Sequence, residues 1–178
     1  MSQYHHNNNT HSFNNTNSFN KVLNNCTITD DQSRILTWLS PLEPRLRHQG
    51  VQESRVENVG EWLLQTPVFK SWYTGSGGDE SDNSVLFCYG DPGVGKTYIS
   101  SLVIDHLCDR AREQNAIVAC FYFDFAAQKE QSLNSMLGAL LKQVVSGLGE
   151  TPEDIMLQTT TSSRRTFICI DALDECVA

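Results

Sequence analysis

Gly90-Asp91-Pro92-Gly93-Val94-Gly95-Lys96-Thr97 is the stretch on which the reading of the fold turns. It matches G-x-x-x-x-G-K-[ST] in full, a pattern whose backbone N–H groups cradle phosphates. Such a loop needs glycine wherever a side chain would collide or φ must be positive, which assigns those positions to Gly90, Gly93 and Gly95. Lys96 then reaches the outer phosphate oxygens as a point charge, and the Thr97 hydroxyl faces magnesium. The mechanism works only where a strand runs into a helix. The flanks agree: Val85 to Tyr89 reads as a buried strand, and Gly95 to about Arg112 as a helix with Ile99, Leu102, Val103 and Leu107 on one face.

A second element lies downstream, Thr166-Phe167-Ile168-Cys169-Ile170-Asp171-Ala172-Leu173-Asp174-Glu175, an apolar run ending in acids. A carboxylate at the carboxyl end of a buried parallel strand lies beside a phosphate loop, so Asp171 is placed to hold Mg²⁺ directly or through water. Asp174 or Glu175 is then placed to orient an attacking water. A solvated acidic turn looks the same in isolation; its order after the 90–97 loop favours the site.

Between these motifs the texture alternates. Ile117 to Phe125 reads as a strand, Leu133 to about Leu148 as a helix and Phe167 to Ile170 as a strand, a pattern that predicts a parallel sheet covered by helices. Asp124, at the end of its strand, reads as a strand-end acid, and His106 as a partly buried structural residue. Upstream, residues 30–74 carry a helical segment. Asp30 or Asp31 caps a helix with Ile35, Leu36, Trp38 and Leu39, ended by Pro41 and Pro44, and a second stretch from Val59 to Trp72 is broken at Pro67. Residues 75–84, rich in Gly, Ser and acids, read as a loop. Residues 1–29 are Asn-rich, with Lys21 the only formally charged side chain, and read as a disordered tail.

Composition narrows the classes. A formal charge of −8 argues against a non-specific nucleic-acid binder. No run approaches the roughly 18 apolar residues of a membrane span, and the N-terminus lacks a signal-peptide pattern, so a cytoplasmic, intracellular protein is expected. Six cysteines without a C-x-x-C pair read as buried thiols rather than ligands or disulfides.

GDPGVGKT paired with FICIDALDE resembles the NACHT class of signal-transduction P-loop ATPases, and most of all the nephrocystin-like N-terminal modules of fungal ankyrin-repeat or tetratricopeptide-repeat proteins. Trp38-Leu39-Ser40-Pro41-Leu42, Arg47-His48, Arg55 and Gly60-Glu61-Trp62-Leu63-Leu64 resemble the segment that precedes the loop in those proteins. The resemblance implies an α/β P-loop NTPase fold, ATP and ADP as ligands with Mg²⁺, and a switch between closed and open, self-associating states. By the same resemblance Gly93, Gly95, Lys96 and Thr97 bind phosphate and magnesium, Asp171 coordinates the metal, and Asp174 or Glu175 activates water.

Two departures shape the expectation. The stretch Gly149 to Arg165 is shorter than the family's, and the strands that complete its sheet, with the sensor arginine and repeats, would follow Ala178. Residues 85–178 are therefore read as the N-terminal part of a P-loop NTPase domain, a truncated fragment. Alternative readings are another P-loop enzyme, such as a small-molecule kinase, or a non-catalytic fragment that binds a protein partner through its upstream helices.

Overall fold

The computed structural model describes residues 30–75, 85–111, 113–127, 129–148 and 164–173. The expected tail at 1–29, most of the loop at 75–84, and Asp174 and Glu175 lie outside the described residues. Among those described, six α-helices surround a two-stranded parallel sheet. In chain order these are α1 (Asp30–Leu39), α2 (Pro44–Ser54), α3 (Trp62–Gln65), α4 (Pro67–Thr74), α5 (Lys96–Ala111), β1 (Ala116–Tyr122), a 3₁₀ turn (Phe125–Ala127), α6 (Leu133–Leu148) and β2 (Arg165–Asp171).

Strand β1 pairs with β2 in parallel from Ala116 opposite Arg165 to Tyr122 opposite Asp171. Alternation along β1 then divides the core. Ala119 and Phe121 pack with Phe123 against Met136, Ala139 and Leu140 of α6. Cys120 and Tyr122 face the other way, onto Val51 of α2 and Ile104 and Cys108 of α5. Helices therefore cover both faces of β1, as a buried parallel strand requires, whereas on the α6 side of β2 Ile168 and Ile170 remain exposed. A third cluster joins Leu63 and Phe69 of the upstream helices to Val103, Leu107 and Phe167.

The free edge of β1 is closed by side-chain amides. Gln143 of α6 accepts from the Cys120 N–H at 3.1 Å and donates to its carbonyl at 2.8 Å, and Gln131 donates to the Tyr122 carbonyl at 3.2 Å. Each amide presents a donor and an acceptor, as a neighbouring strand would. Part of the edge that β1 leaves open is thereby satisfied.

Upstream, the sequence reading is corrected at Pro44. It does not stop a helix but opens α2, occupying the first turn, where a missing N–H removes no hydrogen bond. The break at Pro67 is of the same kind: Thr66 caps α4 by accepting from the Phe69 N–H at 3.2 Å, and Gly75 ends it with φ 69°. Arg165 of β2 donates to the carbonyls of Trp72 and Tyr73 in the last turn of α4, tying it to the sheet.

A second correction concerns Val85–Tyr89. It forms no strand. The segment stands apart from β2 across a cavity of about 570 Å³, lined by Leu86, Phe87 and Cys88 on one side and Ile168, Cys169 and Ile170 on the other. Lacking a ladder partner, it leaves Phe87 and Tyr89 exposed at 75% and 88%, with Cys88 beside them. The remaining described cysteines meet the expectation better. Cys108 and Cys120 are buried and Cys169 half-buried, all free thiols. Burial pushes Cys120 and Cys169 up to about 12, so both stay protonated and behave as small hydrophobes.

Close packing of α1 on α6 depends on Gly138. A Cβ there would lie 2.6 Å from the Leu39 carbonyl oxygen, a backbone atom that cannot swing aside. Overpacking of this kind costs about 1–3 kcal/mol, and the better helix propensity of alanine returns up to about 1. Gly138→Ala is therefore expected to lower stability by about 1 kcal/mol, read as a denaturation-midpoint shift at unchanged slope. A stabilised variant would show that α1 does not pack closely in solution. No helix among the described residues is long and apolar enough to cross a membrane.

Candidate functional site

The loop from Gly90 to Lys96 has the backbone its sequence demands. Gly93 and Gly95 adopt φ of 82° and 90°, in the left-handed region that side chains disfavour. Gly90 meets the other requirement, closeness: a Cβ there would lie 3.1 Å from Val94 Cγ2. Gly95 also accepts the first α5 hydrogen bond, from the Ile99 N–H at 3.1 Å. Lys96 heads α5 and turns back, its Nζ donating to the carbonyls of Gly90 at 2.7 Å and Asp91 at 3.1 Å. The ammonium is thereby held inside the bend of the loop.

Asp171 closes β2. Only 7% exposed, it accepts from Ser100 Oγ at 2.9 Å. Ser100 lies one turn beyond Lys96 and Thr97 on α5, so that hydrogen bond fixes the carboxylate against the helix carrying the lysine. Beyond it Ala172, with φ 55°, turns the chain out of the strand. Gly93, Gly95, Lys96, Thr97 and Asp171 all line one cavity of about 500 Å³. Lys96 and Asp171 also border the cavity beside β2. The site residues separated by about 80 positions in sequence thus meet, apart from Asp174 and Glu175.

The opposite wall of the 500 Å³ cavity is α2, through Arg47, Gly50, Val51 and Ser54. Their spacing of three, four and seven marks one helical face. Reading Pro44 as a stop concealed it; treating the proline as a first-turn residue would have found it.

Behind that wall lies a buried polar network. His48, with no solvent exposure, shares a hydrogen bond of 2.7 Å between Nδ1 and the Tyr122 hydroxyl and donates through Nε2 to Asp105 at 3.0 Å. The carboxylate only accepts, which places the imidazole proton on Nε2. Burial pushes the Tyr122 phenol upward, keeping it a donor. Asp105 also takes Gln52 at 3.2 Å and Arg55 at 2.6 Å, while Arg55 reaches Ser101 at 3.0 Å. Two polar residues therefore occupy the inner face of α5, in place of the purely apolar stripe its periodicity predicts.

Asp124 is a strand-end acid, as its position suggests. Its Oδ1 accepts from the Ala126 N–H at 2.9 Å and its Oδ2 lies 3.5 Å from Arg47 Nη2. His106 packs its ring on Phe69 and Tyr73, and burial together with Arg110 lowers its pKa, in keeping with a structural role.

A model of the family described as Nephrocystin 3, N-terminal, matches residues 58–160, more than half of the chain. The chain belongs to this family. The matched range of the nephrocystin 3 N-terminal family takes in the loop, α5, β1 and α6, whereas the α2 wall and Asp171 lie outside it. No curated protein and no solved structure matches the chain.

Proposed function

We propose that this nephrocystin 3 N-terminal chain binds a magnesium–nucleoside triphosphate in the 500 Å³ cavity, as the nucleotide-binding part of a NACHT-type signalling NTPase. One observation carries the reading: a glycine loop with two left-handed residues, its lysine and threonine, and a strand-end carboxylate all border a single cavity. The Gly93 and Gly95 conformations support an inward-facing row of N–H groups, and Lys96 supplies the mobile cation. A phosphate oxygen is a stronger acceptor for that ammonium than the two carbonyls it now meets.

The donor set suits magnesium, a hard cation that takes oxygen ligands: the Thr97 hydroxyl and the Asp171 carboxylate. When bound there, the ion would neutralise charge on the phosphates. Ser100 orients Asp171 for that role. In this reading Asp174 or Glu175 activates water, adenine is favoured by the resemblance to NACHT proteins, and slow hydrolysis switches the module between states that bind ATP and ADP differently. The cavity of about 570 Å³ between Val85–Tyr89 and β2 is then the place of the intervening strand that the P-loop NTPase fold contains.

Thermal unfolding with and without Mg-ATP tests the proposal. At 100 times the dissociation constant, ligand adds about 2.7 kcal/mol to the folded state. For a chain of this size the midpoint should rise by roughly 5–10 °C. An unchanged midpoint at millimolar Mg-ATP would remove the nucleotide reading.

A further inference from the structure

The cavity has a second cation, placed opposite the first. Arg47 of α2 and Lys96 at the head of α5 both line the cavity, one from each wall. The backbone of Arg47 is rigidly set. The adjacent His48 and, further along α2, Gln52 bind Asp105 of α5, with Arg55 just beyond joining the same carboxylate; α5 is the helix whose first residue is Lys96. Arg47 and Lys96 thus belong to one braced unit, while the Arg47 side chain itself is 52% exposed and free to reorient.

Its present partner holds it weakly. Asp124 Oδ2 lies 3.5 Å away, in a half-solvated pair of the kind worth at most about 1 kcal/mol. Asp124 keeps its turn through the other oxygen, on the Ala126 N–H, and does not need the arginine. A phosphate offers the planar guanidinium two parallel hydrogen bonds and more charge. Exchange of Arg47 from Asp124 to a phosphate in the cavity is therefore favourable.

Gly50, one turn along the same face, points to the same occupant. Glycine in a helix interior is unfavourable relative to alanine by close to 1 kcal/mol. Nothing in the fold calls for it, because a Cβ there meets no atom within 4 Å. Its effect is to leave the wall facing the loop without a side chain at this one position, between Arg47 and Ser54.

We infer that Arg47 recognises the terminal phosphate, so that the site distinguishes nucleoside triphosphate from diphosphate through an arginine upstream of the loop, with Gly50 keeping the wall clear. This rests on the nucleotide reading above. The inner phosphates belong to the loop and Lys96; the outermost one is shared between Lys96 and Arg47.

Titration of the full chain with Mg-ATPγS and with Mg-ADP, followed by calorimetry, separates the two readings. Arg47→Gln should weaken ATPγS by about 10- to 100-fold and ADP by less than about 3-fold. Asp124→Asn preserves the turn acceptor, removes the competing charge, and should strengthen ATPγS by about 2- to 5-fold. Gly50→Leu should weaken both nucleotides while leaving the circular dichroism spectrum of the free protein intact and its thermal midpoint unchanged or slightly raised. If wild type binds both nucleotides and Arg47→Gln leaves their ratio unchanged, the role of Arg47 is overturned and the site stands. Loss of ATPγS affinity in Asp124→Asn would overturn the exchange. A wild-type chain that binds neither nucleotide would overturn the site and this inference together.

Discussion

Asp105→Ala is expected to destabilise the protein by about 3–5 kcal/mol, the cost of leaving a buried charge without its partner. Three donors share that one carboxylate. His48 Nε2, Gln52 Nε2 and Arg55 Nη2 all end on Asp105, whose side chain is 8% exposed. Removing it strands a guanidinium that is itself 17% exposed and an imidazole with no exposure at all. The imidazole has no water to turn to, and the guanidinium only little. Ser101 still accepts from Arg55, which moderates the loss but does not replace the charge. Asp105→Asn keeps an acceptor for two of the three donors and should cost less than half as much. Urea unfolding followed by circular dichroism reads both values. A loss under about 1 kcal/mol for the alanine variant would mean that α2 is not fastened to α5 through this residue. The effect also reaches function, because the same network sets the α2 wall of the cavity relative to Lys96.

That network explains where the sequence was legible and where it was not. Helix α6 follows its apolar periodicity to the residue, from Leu133 to Leu148, since its whole inner face meets the sheet. The β2 run was visible from its continuous apolar residues and closing acid, although the strand is less buried than that pattern predicts, with Ile168 and Ile170 exposed. Helix α5 was legible in extent and misleading in facing, because Ser101 and Asp105 are buried by partners about 50 residues upstream that no local pattern reveals. Val85–Tyr89 reads as a strand from composition alone. Strand formation, however, requires a neighbour within hydrogen-bonding reach, and a cavity holds this segment off the edge of β2 that β1 does not occupy. In the loop, local chemistry was sufficient: two glycines needed for φ and one for clearance were all identifiable from the motif. Asp171 was placed correctly at a strand end, while Ser100, which holds it, was not foreseen; its signal was the position one helical turn beyond Lys96 and Thr97.

Lys96→Ala should leave stability nearly unchanged and weaken nucleotide binding by about 10- to 100-fold, a contrast that separates the lysine from every residue in the network. Among the described residues its Nζ donates to the carbonyls of Gly90 and Asp91, both on an exposed loop where water can take its place. Substitutions of this kind usually change stability by under about 0.5 kcal/mol. In a nucleotide complex the same ammonium would meet phosphate oxygens, and hydrogen bonds to charged groups contribute about 1.5–3 kcal/mol. Binding of Mg-ATP and Mg-ADP should fall together, because the lysine serves the phosphates they share as well as the terminal one. Lys96→Arg should not restore affinity: the bulkier planar guanidinium does not reproduce the compact ammonium that turns back onto the Gly90 and Asp91 carbonyls. Calorimetric titration of the two variants beside their unfolding curves measures both quantities at once. Full affinity in Lys96→Ala, with an intact fold, would assign the loop a structural role and move the search for the ligand to the other cavity, between Val85–Tyr89 and β2.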